Sequence, residues 1–302
     1  MDRRTFLKTI GCSAAASLVT CCPIHISPSH KHSSLEKVLL IGIDGLRPDA
    51  LWEAATPNID ALAAEGAYSF AARTGEHTFT GPGWSNVLTG VWENKHGVKD
   101  NTFKGANYEK YPTIFSRIEE IKPILNTSSV ASLDWINDII ITKADNRIYY
   151  PFEEEGDIKV AESTADIIKY NNVDLMFAYF EGVDVAGHSY GFDTVVTEYL
   201  AEIEIIDHYV GLLMQAMQKR PAYREERWLT ILTSDHGGKG KHHGGVGEEA
   251  QKIPLIMHGS AVQKGEISPV PRQVDIVPTI LTYFGIPLQD NWGLDGKVIG
   301  LK

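Results

Sequence analysis

Acids and histidines of this sequence are spaced so that together they could bind metal ions. Asp44 follows the apolar run VLLIGI, Asp184 comes shortly after DLMFAYF, and Asp235 follows WLTILTS. Such runs are typical of buried strands, and in an open α/β sheet the strand carboxyl ends face the crevice that binds ligands. Carboxylates that converge there repel one another unless cations lie between them, and histidines add the nitrogen ligands that zinc or a similar divalent ion accepts. The candidate metal ligands are Asp44, Thr80, Asp184, His188, Asp235, His236 and His243.

Two of these motifs carry both acids and histidines. In EGVDVAGH an acid and a histidine stand four residues apart with a glycine between them, so we expect them to chelate one ion from a loop. In SDHGGKGKHHGG the side chains of Asp235 and His236 diverge, because the residues are adjacent, and can serve two metals. His243 follows between a histidine and glycines, with His242 as the neighbouring alternative. A histidine-rich loop without a metal is the competing interpretation.

Thr80 is the candidate nucleophile, in the segment EHTFTGPGWSNVLTG. A threonine followed by Gly-Pro at a helix start would meet free backbone N–H groups and the positive helix end, a location that favours an anionic phosphate. A threonine hydroxyl that binds a metal ion is an activated nucleophile. We expect the helix to start after Pro82 and to run to Leu88. On local sequence alone, an ordinary helix cap is the favoured interpretation of Thr80, and a turn acid is that of Asp44.

The elements that must position these residues alternate between strand and helix from Lys37 onward. Apolar runs such as KVLLIGI, DLMFAYF, WLTILTS and IPLIMHG indicate buried strands, and TPNIDALAA, YPTIFSRIEEIK, ESTADIIKYNN, residues 194–219 and DIVPTILTYFG have helical spacing. Alternation of this kind predicts an α/β fold, a three-layer sandwich with a central, mostly parallel sheet and helices on both faces. No internal repeat or second domain boundary is visible, so residues 37–302 are predicted to form a single domain.

The composition narrows the class of partner. The 302 residues are 43% hydrophobic and 22% charged, an ordinary globular composition, and the formal net charge is −11. An acidic chain without a Lys/Arg-rich run argues against nucleic acid as the dedicated partner. The formal charge counts the acidic candidate ligands but no bound cations. We therefore expect the net charge of the metal-bound protein to be less negative.

The first 22 residues predict export rather than structure. MDRRTFLKTIGCSAAASLVTCC has a twin arginine and then a short apolar stretch rich in small residues, typical of a twin-arginine signal. The alternative is a basic amphipathic helix. Leu18-Val19-Thr20-Cys21 resembles a lipoprotein cleavage box, so the mature protein is expected to be periplasmic or anchored to the membrane by a lipidated Cys21. The three cysteines lie in this segment, at Cys12, Cys21 and Cys22.

Residues 23–36 are polar and contain prolines and serines, which predicts a linker. His25, His30 and His32 lie in it. A metal-binding role for these histidines is the alternative to a solvated tether.

The ordered set of motifs resembles the alkaline phosphatase superfamily, and most closely its type I phosphodiesterase/nucleotide pyrophosphatase branch. The resemblance rests on the early strand-end Asp44, on Thr80 with Pro82 two residues later, and on the motifs that follow along the chain: Thr89-Gly90, His96-Gly97-Val98, Asn101, the DxxxH pair Asp184 and His188, and Asp235-His236-Gly237. It covers nearly the whole chain after the signal, from Asp44 through His243 and into IPLIMHG.

The resemblance implies a hydrolase of phosphate esters with two divalent metal ions, zinc or alternatively manganese. One ion would be held by Asp44, Thr80, Asp235 and His236, and the other by Asp184, His188 and His243. Thr80 would be the nucleophile, and Asn101 together with the Thr80 backbone N–H would hold a phosphate oxygen. The implied substrate is a small phosphate ester.

The chain departs from the family pattern at His243, which follows the DHG motif closely instead of lying far downstream. This departure concerns substrate class rather than metal chemistry. The CxPxR motif of sulfatases is absent and Thr80 holds its nucleophile position, which disfavours a formylglycine sulfatase. Three functions stay open: a phosphodiesterase or nucleotide pyrophosphatase; a phosphomonoesterase, phosphonate hydrolase or mutase; and a non-catalytic periplasmic metal-binding protein.

Four aromatic residues are candidates for substrate specificity, each with core packing as the alternative. They are Phe79, Trp84, Trp135 and Tyr150. The stretch from Asn101 to Asp184 is only moderately long and contains core elements, so we expect an open site with few substrate-specific contacts.

Overall fold

The computed structural model describes residues 34–245 and 247–302, and these residues belong to one compact unit. The predicted export signal, the lipoprotein box and linker residues 23–33 lie outside them. Strand β1 (Glu36–Ile43) begins at Glu36, the last residue of the predicted linker. Among the described residues, no helix has the length and apolar character needed to cross a membrane.

Eight strands in the described part of the chain form one sheet in the order β4-β3-β5-β1-β6-β7-β2-β8. Most neighbouring strands are parallel, and β7 runs antiparallel to both of its neighbours. The predicted mostly parallel sheet is confirmed. The strands are β1 (Glu36–Ile43), β2 (Ala67–Arg73), β3 (Thr127–Ala131), β4 (Asn146–Tyr149), β5 (Leu175–Phe180), β6 (Arg227–Thr233), β7 (Lys252–His258) and β8 (Gly265–Glu266).

Helices cover both faces of this sheet. They are α1 (Pro48–Glu53), α2 (Pro57–Glu65), α3 (Thr80–Thr89), α4 (Glu93–His96), α5 (Ile114–Ile121), α6 (Gly156–Tyr170), α7 (Gly182–Tyr190), α8 (Thr197–Gln218), α9 (Glu248–Gln251) and α10 (Ile276–Tyr283). Apolar residues of α3, α5 and α10 pack in one core cluster, and those of α1, α2, α6 and α8 pack in another. The three-layer α/β arrangement is therefore as predicted.

The central strands are buried on both faces, which explains their uninterrupted apolar sequences. In β1, Val38 and Leu40 belong to the core cluster under α3, whereas Leu39 and Ile41 belong to the cluster under α8. Successive side chains of a strand point to opposite faces, so one apolar run serves both cores. The sheet register places Leu40 beside Phe177 of β5 and Ile231 of β6.

Two local predictions near the site are wrong. Helix α3 begins at Thr80 rather than after Pro82, because proline is tolerated in the first turn, where its missing N–H costs no hydrogen bond. The segment GVDVAGHSY, predicted to be a loop, forms helix α7. Its two glycines, Gly182 and Gly187, lie where an added Cβ would meet Glu202 and Phe192, so they allow close packing rather than a turn.

Candidate metal centre and active site

The three strand-end acids come together because β5, β1 and β6 are adjacent and parallel. Asp44 directly follows β1, Asp235 lies two residues after β6, and Asp184 lies in the first turn of α7, which follows β5. The carboxyl ends of these strands meet at one edge of the sheet, the edge at which open α/β sheets bind ligands.

Asp44, Asp235 and His236 form what we term the inner cluster. The His236 Nε2 atom lies 3.4 Å from Asp44 Oδ1 and 3.2 Å from Asp235 Oδ2. All three side chains are buried, with exposed fractions of 0–1%. Asp44 Oδ1, Asp235 Oδ2 and His236 Nε2 make no hydrogen bond. Unpaired buried lone pairs are costly, and their convergence on one point is a feature of a metal site.

The other polar atom of each inner-cluster residue is held in place. Asp44 Oδ2 accepts hydrogen bonds from the Tyr179 hydroxyl at 2.6 Å and from Trp84 Nε1 at 3.1 Å. The Gly45 N–H donates to Asp235 Oδ1 at 3.1 Å, and His236 Nδ1 lies 2.9 Å from the Gly237 carbonyl oxygen. A histidine that donates from Nδ1 presents the Nε2 lone pair, so the free atoms are the ones available to a metal.

The electrostatics of the inner cluster indicate that it is built for a cation. Burial, together with the nearby Asp184, raises the pKa of Asp44 to about 8. Burial and the charges of Asp44 and Asp184 also raise the pKa of Asp235 well above its ordinary value. Burial and the neighbouring His243 lower the pKa of His236 to about 3, so its ring is neutral at pH 7. A divalent ion would favour the ionised carboxylates and use the neutral ring as a ligand.

Asp184, His188 and His243 form what we term the outer cluster. Asp184 Oδ2 lies 3.3 Å from His188 Nε2, and Asp184 Oδ1 lies 3.6 Å from His243 Nε2. The two histidine Nε2 atoms are 2.9 Å apart. Asp184 and His188 are i and i+4 on α7, so the helix, and not a loop, places both side chains on one face.

Backbone groups orient the outer cluster. His188 Nδ1 lies 2.9 Å from the Lys241 carbonyl oxygen, and His243 Nδ1 lies 2.8 Å from that of Thr78. The start of α7 is anchored by the buried Asp157, whose carboxylate accepts hydrogen bonds from the Gly182 N–H at 2.8 Å and from the N–H of the preceding residue at 3.1 Å. Both ring Nε2 atoms are thereby directed toward Asp184.

The distances in both clusters fit divalent metals. In a tetrahedral zinc site with bonds of about 2.0–2.1 Å, neighbouring ligand atoms lie about 3.3 Å apart. The separations within the clusters scatter around this value, from 2.9 to 3.6 Å. The clusters also adjoin, since the rings of His236 and His243 stack with centroids 3.9 Å apart. Asp44, Asp235 and His236 bring ligand atoms within 4.8 Å of one another, and so do Asp184, His236 and His243.

The first turn of α3 lies directly against both clusters. Gly83 packs on Asp235 so closely that an added Cβ would lie 2.7 Å from the Asp235 Cβ. Phe79, the residue before the helix, contacts the His243 ring edge-on at a centroid distance of 5.8 Å. Thr80, the first helical residue, is 7% exposed. The N-terminus of α3, with the Thr80 backbone N–H, therefore lies against the candidate metal centre.

Asn101 lies beside this helix start. Its Oδ1 atom accepts a hydrogen bond from the Gly81 N–H at 2.8 Å. That bond orients the amide group and leaves its Nδ2 atom as the donor for a further partner. Thr80 and Asn101, 21 positions apart in the sequence, are thus brought to the same end of α3.

A model of the family described as "Type I phosphodiesterase / nucleotide pyrophosphatase" matches residues 38–246. The chain belongs to this family.

Curated ectonucleotide pyrophosphatase/phosphodiesterases match about two thirds of the chain. Bovine ectonucleotide pyrophosphatase/phosphodiesterase family member 3 is 27% identical over 221 residues, which cover 67% of this chain and 25% of the relative. Human family member 5 is 27% identical over 224 residues, which cover 67% of this chain and 45% of the relative. The chain therefore aligns with less than half the length of these relatives.

Solved structures share the fold. Murine ectonucleotide pyrophosphatase/phosphodiesterase 5, an inactive variant in complex with AMP, superposes with a TM-score of 0.68 at 14% identity and covers 84% of this chain and 96% of that one. A putative sulfatase from Bacteroides thetaiotaomicron gives a TM-score of 0.72 at 14% identity, covering 88% and 74%. At these identities the likeness concerns the alkaline phosphatase-like fold alone.

Of the four aromatic specificity candidates, Trp84 is fully buried, and its indole N–H is bonded to Asp44. It therefore supports the inner cluster instead of facing a substrate. Phe79, Trp135 and Tyr150 are partly buried. Trp135 packs edge-on against Phe103, and Phe79 contacts the outer-cluster residue His243. His242, the alternative to His243, is exposed.

Sequence reasoning missed the residues that hold the ligands. Tyr179 lies on β5 and reaches Asp44 from a position 135 residues away, and Asp157 anchors α7 from another helix. The signal available was weak: a tyrosine within a fully apolar strand needs a partner for its hydroxyl, and a strand-end acid is a suitable acceptor.

Proposed function

We propose that this chain is a metal-dependent hydrolase of phosphate esters, a phosphodiesterase or nucleotide pyrophosphatase with Thr80 as the nucleophile. The observation that carries the proposal is the convergence of unpaired, buried carboxylate and imidazole atoms beside the N-terminus of α3, where Thr80 begins the helix. Family membership supports the same reaction class. A protein that only binds metal has no need of a hydroxyl and an amide at that point.

The inner cluster together with Thr80 would hold one divalent ion, and the outer cluster would hold a second. The distances fit zinc, and manganese is the alternative. Bound ions of this kind supply Lewis-acid charge that lowers the pKa of a hydroxyl and stabilises a leaving alkoxide.

The protein groups would act on the substrate as follows. The Thr80 hydroxyl releases its proton to solvent, and its oxygen attacks phosphorus in line with the leaving oxygen. The bond from phosphorus to that oxygen breaks, the leaving group takes a proton from water, and a phosphothreonine ester forms. A water molecule then attacks the phosphothreonine, which returns the Thr80 hydroxyl and releases the phosphate product. The Thr80 backbone N–H and the Asn101 Nδ2 atom would hold the non-bridging phosphate oxygens.

Turnover of matched esters tests the proposal. Zinc-loaded protein is expected to hydrolyse bis-p-nitrophenyl phosphate faster than p-nitrophenyl phosphate. Because the murine neighbour was solved with AMP, a p-nitrophenyl ester of a nucleoside 5′-monophosphate is the first nucleotide substrate to try. Preference for the monoester would indicate a phosphomonoesterase. Absence of turnover with every ester, with zinc and with manganese, would contradict an enzymatic role.

We also propose that the protein is exported by the twin-arginine route, on the basis of the sequence RRTFLK. Changing Arg3 and Arg4 to lysine should leave the precursor in the cytoplasm. Loss of fatty-acid labelling in Cys21→Ala would show lipidation at that residue. Normal export of the double-lysine variant would contradict the route.

A further inference from the structure

Three fully buried polar side chains connect segments that carry site residues. His96 ends α4, Asn86 lies on α3, and Gln273 begins a short 3-10 turn at Gln273–Asp275. All three are 0% exposed. His96 Nε2 lies 2.9 Å from Asn86 Oδ1, and Asn86 Nδ2 donates to Gln273 Oε1 at 3.1 Å. We term these residues the polar relay.

Every donor in the polar relay meets an acceptor in one consistent direction. The Val98 N–H donates to His96 Nδ1 at 3.1 Å, so His96 carries its proton on Nε2 and donates it to Asn86. Burial lowers the pKa of His96 to about 4, which keeps the ring neutral at pH 7. Asn86 Nδ2 donates to Gln273 and also to the Glu93 carboxylate at 3.3 Å, and Gln273 Nε2 donates to the Asp235 carbonyl oxygen at 2.5 Å. The hydrogen bonds thus determine the orientation of both amides and the tautomer of the ring.

The two ends of the polar relay reach different parts of the site. At one end, Gln273 holds the backbone of Asp235, whose side chain belongs to the inner cluster. At the other end, His96 holds the Val98 N–H and accepts the Asn107 N–H on its carbonyl oxygen at 2.8 Å, so it closes the loop that carries Asn101. Asn86, in the middle, lies on the helix that begins with Thr80.

We propose that His96, Asn86 and Gln273 are positioning residues that set Asn101 and the start of α3 relative to the Asp235 backbone. This role rests on the proposed function, because it is the hydrolase site that needs the three segments in register. Nothing in the chemistry of these side chains requires contact with a substrate. Gln273 lies beyond the matched residues 38–246, in a segment that the family motifs do not reach.

The competing explanation is that the three side chains merely satisfy one another inside the core. Buried polar groups must be paired wherever they occur. Pairing alone, however, does not require that one network span the segments of Asp235, Thr80 and Asn101, since each group could be satisfied locally. A local network would transmit a substitution to its neighbours only, whereas a positioning network would transmit it from one end to the other.

Amide hydrogen exchange of the metal-free protein separates these explanations without relying on activity. Gln273→Met removes the amide but keeps much of the side-chain volume. We expect it to speed exchange not only at residues 234–238, beside the substitution, but also at residues 97–101, at the far end of the polar relay. His96→Met should produce the reverse pattern, with faster exchange at residues 234–238. His96→Gln, which keeps a donor near the Nε2 position, should restore most of the protection there.

Thr279→Val is the matched control. Thr279 is also 0% exposed and close in sequence to Gln273, but its hydroxyl bonds to the Asp275 carbonyl oxygen and to the Ile299 N–H. Loss of the Thr279 hydroxyl should lower the free energy of unfolding without changing amide exchange at residues 97–101. Unchanged exchange at residues 97–101 in folded Gln273→Met, or an equal increase in Thr279→Val, would overturn the proposed role.

Steady-state kinetics of the zinc-loaded protein provide a second test of the positioning role. Gln273→Met and His96→Met should each lower kcat/KM by about 10–100-fold, mainly through kcat, which is the usual scale for residues that support metal ligands. The double variant should lose little more than either single variant, because both break one network. If the fold-losses in kcat/KM of the two single variants instead multiply in the double variant, the two residues have independent packing roles. If wild-type protein hydrolyses no ester, the proposed function fails, whereas the exchange experiment still decides the role of the polar relay.

Discussion

The inner and outer clusters use the same residue types in different settings. The inner cluster lies at strand ends and is held by side chains and a backbone N–H, and its His236 is fully buried. The outer cluster lies on a helix and a glycine-rich loop, its histidine rings are held by backbone carbonyl oxygens, and the His188 side chain is 44% exposed. The inner cluster is thus closed off by the protein, whereas the outer cluster is open to solvent at His188.

The acids of the two clusters also differ in pKa. Burial raises the pKa of Asp44 to about 8. Burial acts on Asp184 in the same direction, but the hydrogen bond from His188 and the charges of the nearby histidines outweigh it, so the pKa of Asp184 is lowered. The hydrogen bond to Asp184 in turn raises the pKa of His188 to about 9. Without metal, a protonated His188 balances the charge of Asp184 in the outer cluster. In the inner cluster, Asp44 and Asp235 have no such partner, so a cation or bound protons must compensate their charge.

The largest expected effect concerns Thr80, the proposed nucleophile. Thr80→Ala should lower kcat by several orders of magnitude, because the covalent route is lost, while both ions stay largely bound through the remaining ligands. Thr80→Ser keeps the hydroxyl and should retain much of the activity. Steady-state kinetics and metal content measured on the same samples provide the check. Near wild-type turnover of metal-loaded Thr80→Ala would place the nucleophile elsewhere.

A smaller loss is expected at Asn101. Asn101→Ala removes the amide that Gly81 orients, and kcat should fall by roughly 10²–10³-fold, the scale of one donor to a developing oxyanion. Zinc content should not change, because Asn101 is not a predicted ligand. A loss of zinc in this variant would show that Asn101 supports the clusters rather than the phosphate.

Zinc affinity tests the division between the clusters. Asp235→Ala should weaken one site by about 10²-fold or more, given apparent zinc binding energies of about 10–16 kcal/mol shared among about four ligands. It should also lower the free energy of unfolding, because the Gly45 N–H that donates to Asp235 would stay buried without its acceptor. His188→Ala should weaken only the other site, with less effect on stability. Chelator competition with metal-free protein measures both sites, and His242→Ala, an exposed neighbour of His243, is the control expected to behave as wild type.

The smallest effect is a pH dependence of the metal-free fold. The pKa values of Asp44 and of Glu181, the residue that precedes α7, are raised to about 8, mainly by burial, and that of His188 is raised to about 9 by the hydrogen bond to Asp184. Their ordinary values are 3.8, 4.5 and 6.5. Between pH 6.5 and 8, therefore, the folded state binds protons that the unfolded state has lost, and stability falls as the pH rises.

Below pH 6.5 the trend should weaken or reverse, because His236 and His96, with pKa values lowered to about 3 and about 4 by burial, must be neutral in the folded state. Thermal unfolding of metal-free protein between pH 6.5 and 8 measures the effect, and Asp44→Asn should flatten it. Added zinc should stabilise more strongly as the pH rises, because its ligands bind deprotonated. A rising unfolding temperature over this range would contradict the charge balance inferred for the inner cluster.

The fold and the location of the acids could be predicted because both depend on local patterns. Apolar runs indicate parallel strands, and strand order then brings Asp44 and Asp235 to one edge. The helical state of residues 182–190 was missed because its glycines resemble turn residues, and their close contacts are visible only in three dimensions. Tyr179 and Gln273 escaped notice for the same reason: their partners are distant in sequence.

The most direct test is anomalous X-ray diffraction at the zinc edge from crystals of the zinc-loaded protein. Two peaks are expected, one within bonding distance of Asp44 Oδ1, Asp235 Oδ2 and His236 Nε2, and the other beside Asp184, His188 and His243. Equal occupancy is not required, because the outer cluster is more exposed. A single peak at one cluster, or peaks away from both clusters, would contradict the two-site centre.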